Sequence, residues 1–193
     1  MSSLPEVASD SDRRRSFLAL AHQTVNTVVQ HDRLPAEIPV HGVFAERRGV
    51  FVTLHVRGKL RGCIGVIEAR EPLGEAIVRA AASASLHDPR FSRLRKEELS
   101  DLAIEISVLS VLSPICPEDV EIGKHGLYVA SGRHRGLLLP QVAMEHRLDR
   151  EKFLQETCLK AGLPRDAWRR TGDVILFGFT CEIYADNPAV YPV

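Results

Sequence analysis

Apolar side chains recur three and four positions apart over residues 13–30, and this spacing predicts a first amphipathic helix. Residues 1–12 ahead of it are small, polar and acidic, which predicts a disordered tail. Pro72 opens a second helical pattern whose latter half is rich in alanine, so we expect that helix to pack closely against a sheet. A further helix is predicted between a capping Asp149 and a terminating Gly162.

The clearest strand pattern is the alternation of apolar and polar residues over 102–112. β-forming residues around glycine-containing turns predict hairpins over 43–54 and 127–139, with a short helix from Pro140 after the second. The last strand is predicted to run from 174 to about 184. Together these elements predict a mixed α+β fold, in which a mostly antiparallel sheet is flanked by helices.

Length and charge narrow the class of protein. The chain has 193 residues, with 25 Lys and Arg against 25 Asp and Glu, so its formal net charge is zero. A neutral balance argues against a nucleic-acid partner or an anionic membrane surface, either of which needs a basic excess. The sequence shows neither a leader pattern nor an apolar run long enough to span a bilayer, so we expect a cytoplasmic protein.

Cysteine usage points away from structural metal or disulfide frameworks. None of the four cysteines lies in a CxxC pair, and single scattered cysteines suit a reducing compartment. The chain also contains no GxxxxGK[ST], GxSxG or HExxH motif, so the sequence predicts no metal and no cofactor. Three of the cysteines are expected to pack in the core: Cys116, Cys158 and Cys181.

The fourth cysteine lies in the most informative segment, Leu60-Arg61-Gly62-Cys63-Ile64-Gly65. The two glycines predict a strained or closely approached turn. An extended backbone would place Arg61 and Cys63 on one face, where the cation would favour the thiolate. Cys63 is therefore either a nucleophile activated by Arg61 or a small buried hydrophobic residue, and the sequence leaves both interpretations open.

Two further residues are candidates for proton transfer. His125, in a glycine-bracketed turn, could serve as a general base or orient the thiol; the alternative is a turn residue bonded to its own loop. Glu105 lies within the 102–112 strand, and plain alternation favours a solvent-facing carboxylate. If Glu105 is buried instead, its pKa would shift and it becomes a candidate acid or base.

Candidate substrate-binding residues surround this segment. Asp88, before a proline, is predicted to accept backbone N–H bonds in a turn, while Arg90 could clamp a carboxylate or phosphate. Gln141, at a predicted helix start, could offer its amide to a ligand or act as a local cap. Gly62 and Gly65 would let a substrate approach the backbone closely.

The segment 60–65 occurs together with further short segments in a fixed order along the chain: 49–54, 72–73, 88–91, 105–110, 123–127, 138–142 and 160–164. By these segments, of which 60–65 is the most specific, the chain resembles the AMMECR domain family over about residues 13–185. The resemblance implies one domain over residues 13–193 with a larger and a smaller lobe that the sequence does not separate. It also implies partners of the Memo type and the radical S-adenosylmethionine type.

Three functions follow as hypotheses. The first is a small-molecule enzyme, a hydrolase or transferase, in which Cys63 is the nucleophile, Arg61 stabilises its thiolate, His125 transfers protons and Glu105 assists. The second is a non-catalytic binding module that docks a Memo-like or radical S-adenosylmethionine partner, with Cys63 as packing. The third, an RNA-associated regulator, is disfavoured by the neutral charge.

Overall fold

The computed structural model describes residues 9–68, 70–170 and 174–186. The chain divides into two compact units. The first unit is formed by the chain up to Val108 together with the segment from Ile183, and the second by Leu109–Glu182. Within the described ranges, no helix is both long and apolar enough to cross a membrane.

The first unit is built on a four-stranded antiparallel sheet and two helices. Its elements are α1 (Asp10–His31), β1 (Val50–Val56), β2 (Lys59–Val66), α2 (Leu73–Leu86), β3 (Leu102–Leu109) and, from the end of the chain, β8 (Cys181–Ala185). The strand order is β2–β1–β3–β8, so β2 lies at one edge of the sheet. The helices and the sheet share one apolar core, in which Phe17, Val52 and Ile77 are fully buried.

The close packing expected of the alanine-rich helix is confirmed. α2 packs against β1, β2 and α1. Its small residues Ala80, Ala81 and Ala84 are buried, which lets the strand backbone approach the helix.

The second unit contains the other antiparallel sheet and two helices. Its elements are β4 (Ser113–Pro114), β5 (Gly126–Ser131), β6 (His134–Leu138), α3 (Pro140–Glu145), α4 (Arg150–Lys160) and β7 (Ile175–Phe179). The strand order is β4–β7–β5–β6.

The predicted hairpin over 127–139 is confirmed as β5 and β6. The predicted cap is confirmed as well, because the Asp149 side chain accepts the backbone N–H of Lys152 at the start of α4. Two antiparallel sheets with helices confirm the α+β fold.

Three predicted boundaries were wrong. The helix α1 begins at Asp10 rather than within a tail, because the Ser9 side chain accepts the backbone N–H of Asp12 and caps it; residues 1–8 lie outside the described residues. The hairpin over 43–54 does not form, and residues 42–44 make a 3-10 turn instead. The expected last strand is two strands, β7 and β8, that belong to different sheets.

The pairing of β1 follows from its turn. β1 pairs with β2 across Arg57 and Gly58, whose φ angles are 52° and 71°. Two successive positive φ angles give a turn whose twist matches that of the flanking strands, so β1 and β2 form a tight hairpin here.

Candidate functional site

Cys63 lies on the edge strand β2, in a cross-strand row with two polar residues. Thr53 of β1 is the register partner of Cys63 on one side and of Glu105 on the other. Directly opposed residues project from the same sheet face, so the three side chains form one row. The Thr53 hydroxyl donates a hydrogen bond to the Cys63 Sγ at 3.3 Å.

The backbone of Cys63 is held by the turn after α2. Its N–H donates to the Asp88 Oδ2 at 2.8 Å, and its carbonyl accepts from the Arg90 Nη2 at 3.2 Å. Asp88 also accepts from the Arg90 backbone N–H at 3.1 Å and from its Nε at 3.0 Å. Asp88 and Arg90 therefore fix the position of the thiol through its main chain.

The Asp88 carboxylate is charged although its side chain is only 1 % exposed. The Arg90 guanidinium and the two backbone N–H donors hold the pKa of Asp88 well below its usual range. The predicted role of Asp88 as an acceptor of backbone N–H bonds is confirmed, and one of those donors lies 25 residues away on β2. Arg90, predicted as an anion clamp, is paired with Asp88, while half of its side chain is exposed.

Arg61 does not approach the thiol as expected and binds Glu98 instead. The register between β1 and β2 shifts next to Arg61, which leaves this residue as the extra one of a β-bulge. Its guanidinium binds Glu98, with Nε 2.8 Å from Oε1, and donates to the Ser92 carbonyl. The alternation that would align Arg61 with Cys63 is broken by the bulge, and the guanidinium whose charge favours the thiolate is that of Arg90.

The expectation of a lowered Cys63 pKa was wrong. Burial raises the pKa of the Cys63 thiol, because a charged sulfur loses solvation there. The Thr53 hydroxyl and the Arg90 charge lower that pKa in part, while the charges of Asp88 and Glu105 raise it further. The resting protein therefore favours the thiol over the thiolate.

Glu105 does not face solvent as plain alternation favoured. It is 6 % exposed, and every residue over 104–109 is buried, so both faces of this strand are covered. Glu105 also lines a cavity of about 310 Å³ in the first unit.

The glycines of the segment lie within β2 and not in a turn, so the predicted turn was wrong and the predicted close approach is confirmed. A Cβ at Gly62 would overlap the carbonyl oxygen of Ala84 in α2. A Cβ at Gly65 would overlap the ring of Phe51 on β1. Both glycines therefore serve packing around Cys63, and their contact with a substrate stays a prediction.

His125 and Gln141 belong to the second unit. The His125 Nδ1 accepts the backbone N–H of Glu121 at 3.0 Å. Because that nitrogen must carry a lone pair, the neutral ring is protonated at Nε2 and can donate there but not accept. Gln141 is buried in the first turn of α3. The roles assigned to these two residues from the sequence stay predictions.

We expect neutral His125 to be the Nε2–H tautomer throughout the pH range in which the protein is folded. The ring ¹⁵N chemical shifts of selectively labelled protein measure this directly, since protonated and unprotonated nitrogens resonate far apart. The exposed His41 serves as the reference ring. A protonated Nδ1 in neutral His125 would contradict the assignment and would return the ring to the role of a base.

The other cysteines differ from expectation at one position. Cys158 is buried as predicted, Cys181 is partly buried, and Cys116 is exposed rather than packed in the core. Cys116 precedes Pro117 at the start of a 3-10 turn, where its side chain faces outward. Over the ranges that the structure describes, no group of three His, Cys, Asp or Glu side chains is placed to hold a metal ion.

Thr53 is the site residue that sequence reasoning missed. It is the one polar residue of the run 50–54, and that pattern indicates a position facing away from the apolar core. The signal was present, but its significance depends on the register with Cys63 and Glu105, which the sequence does not give.

Comparison with known proteins identifies the family. A protein of Methanothermobacter thermautotrophicus is 44 % identical over 186 residues, which cover 91 % of this chain and 95 % of that protein. A protein of Methanosarcina barkeri is 42 % identical over 173 residues, or 84 % and 86 % of the two chains. The crystal structure of an uncharacterized protein from Pyrococcus horikoshii superposes with a TM-score of 0.83 at 37 % identity, covering 89 % of this chain and 90 % of that one. The profile of the AMMECR1 family matches residues 18–184, and the chain therefore belongs to the AMMECR1 family.

Proposed function

We propose that the protein is a thiol-dependent enzyme acting on a small electrophilic molecule, with Cys63 as the nucleophile. The observation that carries the proposal is the row of thiol, hydroxyl and carboxylate made by Cys63, Thr53 and Glu105. The hydroxyl already donates to the sulfur, which is the contact that a thiolate needs.

The first chemical step is the addition of the sulfur to an electrophilic carbonyl carbon. The thiol proton is released to solvent, the Sγ–C bond forms, and the C–O π pair moves onto the oxygen. Thr53 and Arg90 stabilise the negative sulfur before the attack, because one donates a hydrogen bond to it and the other supplies positive charge nearby.

Fixed geometry supports this role independently of pKa. Both main-chain groups of Cys63 are hydrogen-bonded, the N–H to Asp88 and the carbonyl to Arg90, so the sulfur is held in one place. A nucleophile that is positioned in advance avoids part of the entropic cost of reaching the transition state.

Replacing Thr53 with valine should slow alkylation of Cys63 by iodoacetamide about five- to tenfold, because the thiolate loses a hydrogen bond of roughly 1 kcal/mol. The rate should rise with pH to an apparent pKa above that of a free thiol, since burial raises the pKa of Cys63. Mass spectrometry of the Cys63 peptide measures the rate. Cys116 is exposed and serves as the internal reference in the same sample.

Alkylation of Cys63 only after denaturation would overturn the enzyme proposal. So would an unchanged rate in Thr53→Val, because the hydroxyl would then have no part in stabilising the sulfur.

A second candidate is a non-catalytic module that docks a protein of the Memo or radical S-adenosylmethionine type. The raised pKa of Cys63 favours it, because a thiol that stays protonated packs well and reacts slowly. The two functions differ in their response to Cys63→Ala. That substitution should abolish turnover of an enzyme, whereas a docking module should still bind its partner.

A further inference from the structure

The second unit contains a cavity of about 590 Å³ between α3, α4 and the end of β6. This volume lies within the range of roughly 300–1,000 Å³ that is typical of small-molecule sites. Every residue that lines the cavity belongs to Leu109–Glu182, so one compact unit forms it alone. Cys63 belongs to the other unit, and a ligand bound here is therefore independent of the chemistry proposed for that thiol.

Most of the cavity lining is aliphatic. Leu138 and Leu148 are partly buried and pack against the apolar core of the second unit. Val142 of α3 is also partly buried, and Leu159 of α4 is 39 % exposed. A carbon chain that covers these four side chains removes their aliphatic surface from water, which favours binding.

Three polar side chains complete the lining, and their charges do not cancel. Glu156 precedes Lys160 by one helical turn, a spacing at which two such side chains can pair. The Glu156 carboxylate is instead paired with Arg165, with Oε1 3.5 Å from Nη1. Among the residues that the structure describes, the Lys160 ammonium has no ion-pair or hydrogen-bond partner, and neither has the His146 ring. The cavity therefore combines an aliphatic wall with nitrogen donors that are available to a ligand.

We propose that this cavity binds a medium-chain aliphatic carboxylate, with the carbon chain against the four apolar residues and the carboxylate at Lys160 and His146. A carboxylate has two oxygens, so it can accept one hydrogen bond from the ammonium and another from the imidazole ring. A hydrogen bond between an ammonium and a carboxylate is stronger than one between neutral groups. A cationic ligand with the same chain would instead be repelled by Lys160.

Octanoate, octylammonium and acetate test the two parts of this recognition separately. Octylammonium keeps the chain and reverses the charge, whereas acetate keeps the carboxylate and lacks the chain. Titration of the whole ¹⁵N-labelled protein, followed by two-dimensional NMR, should show saturable shifts with octanoate at amides of α3 and α4. Octylammonium and acetate should each bind about tenfold more weakly or less, because one loses the charge-assisted hydrogen bond and the other the apolar contact.

Lys160→Met removes the charge and keeps an unbranched side chain, so it should weaken octanoate binding about tenfold or more. Lys152→Met is the matched control, since Lys152 is exposed on the same helix about 12 Å away along its axis. That control should leave the affinity unchanged. Leu159→Glu places a carboxylate in the aliphatic wall at a partly exposed position, where folding tolerates it, and should abolish octanoate binding.

Equal affinities for octanoate and octylammonium would refute the proposal. The same holds for full octanoate binding by Lys160→Met or Leu159→Glu, and for saturable shifts confined to the first unit. Cys63→Ala should bind octanoate like the wild type. Failure of the enzyme proposal would therefore leave this site intact, and loss of octanoate binding would leave the reactivity of Cys63 untouched.

Discussion

Replacing Gly62 with alanine should lower the free energy of unfolding by about 3 kcal/mol or more, at the upper end of the cost of overpacking a core. The added methyl group would overlap the carbonyl oxygen of Ala84, which is part of the backbone of α2 and cannot rotate away as a side chain could. Strand and helix would have to separate, and the neighbouring Cys63 would be displaced from Asp88. Urea unfolding followed by circular dichroism measures the change.

Gly58→Ala is the control within the same hairpin. Gly58 has a φ of 71° and open space around it, so alanine there meets backbone strain but no overlap. We expect a smaller loss of about 1–2 kcal/mol. A loss at Gly62 no larger than that at Gly58 would show that α2 and β2 are not packed as closely as described.

Replacing Asp88 with asparagine should cost about 3 kcal/mol at neutral pH. Removing one member of a buried ion pair costs roughly 3–5 kcal/mol, and the half-exposed Arg90 keeps some hydration, which places the effect at the lower end. The carboxylate accepts from four donors, two of them backbone N–H groups, and an amide presents an N–H₂ group to some of them. Urea unfolding of the two proteins measures the difference.

The same difference should depend on pH. Folding lowers the pKa of Asp88 below the value of about 3.9 in an unfolded chain, so the carboxylate stabilises the fold fully above about pH 5. That stabilisation is lost as the pH falls through about 4 towards the lower pKa of the folded state. The gap between wild type and Asp88→Asn should therefore narrow between pH 5 and pH 3.

Glu98 contributes in the same range, since Arg61 lowers the pKa of Glu98 to about 2. Both proteins carry Glu98, so its contribution cancels in the comparison. Glu97→Gln, at an exposed carboxylate, should differ little from wild type in its free energy of unfolding at neutral pH. A gap for Asp88→Asn that stays constant from pH 7 to pH 3 would contradict the charged, buried Asp88.

The sequence predicted the helices, and it singled out Cys63 as a candidate, because both inferences depend on local pattern. Periodicity, a capping Asp149 and the specific segment 60–65 are all readable within a short window. The arrangement of charges around the Cys63 sulfur could not be predicted from local sequence pattern. A single extra residue in β2 sends Arg61 to Glu98, and the cation beside the thiol comes from Arg90, 27 residues away.

Burial of Glu105 and the division of the last strand were missed for a related reason. Alternation shows that two faces of a strand differ, but it does not show whether the polar face is covered. Glu105 and Ser107 follow the pattern of a half-exposed strand and are both buried. Likewise, nothing in the β-forming run 174–184 marks Thr180 as the point where the chain passes from one sheet to the other.

The position of β2 at the rim of its sheet gives the bonds at Cys63 another consequence. An outer strand normally presents open N–H and C=O groups to which an extended foreign chain can add. At Cys63 both groups are already taken, one by the Asp88 carboxylate and the other by the Arg90 guanidinium. These two side chains make the hydrogen bonds that a neighbouring strand would otherwise make. They therefore protect the protein at this point from aggregation through edge-to-edge association.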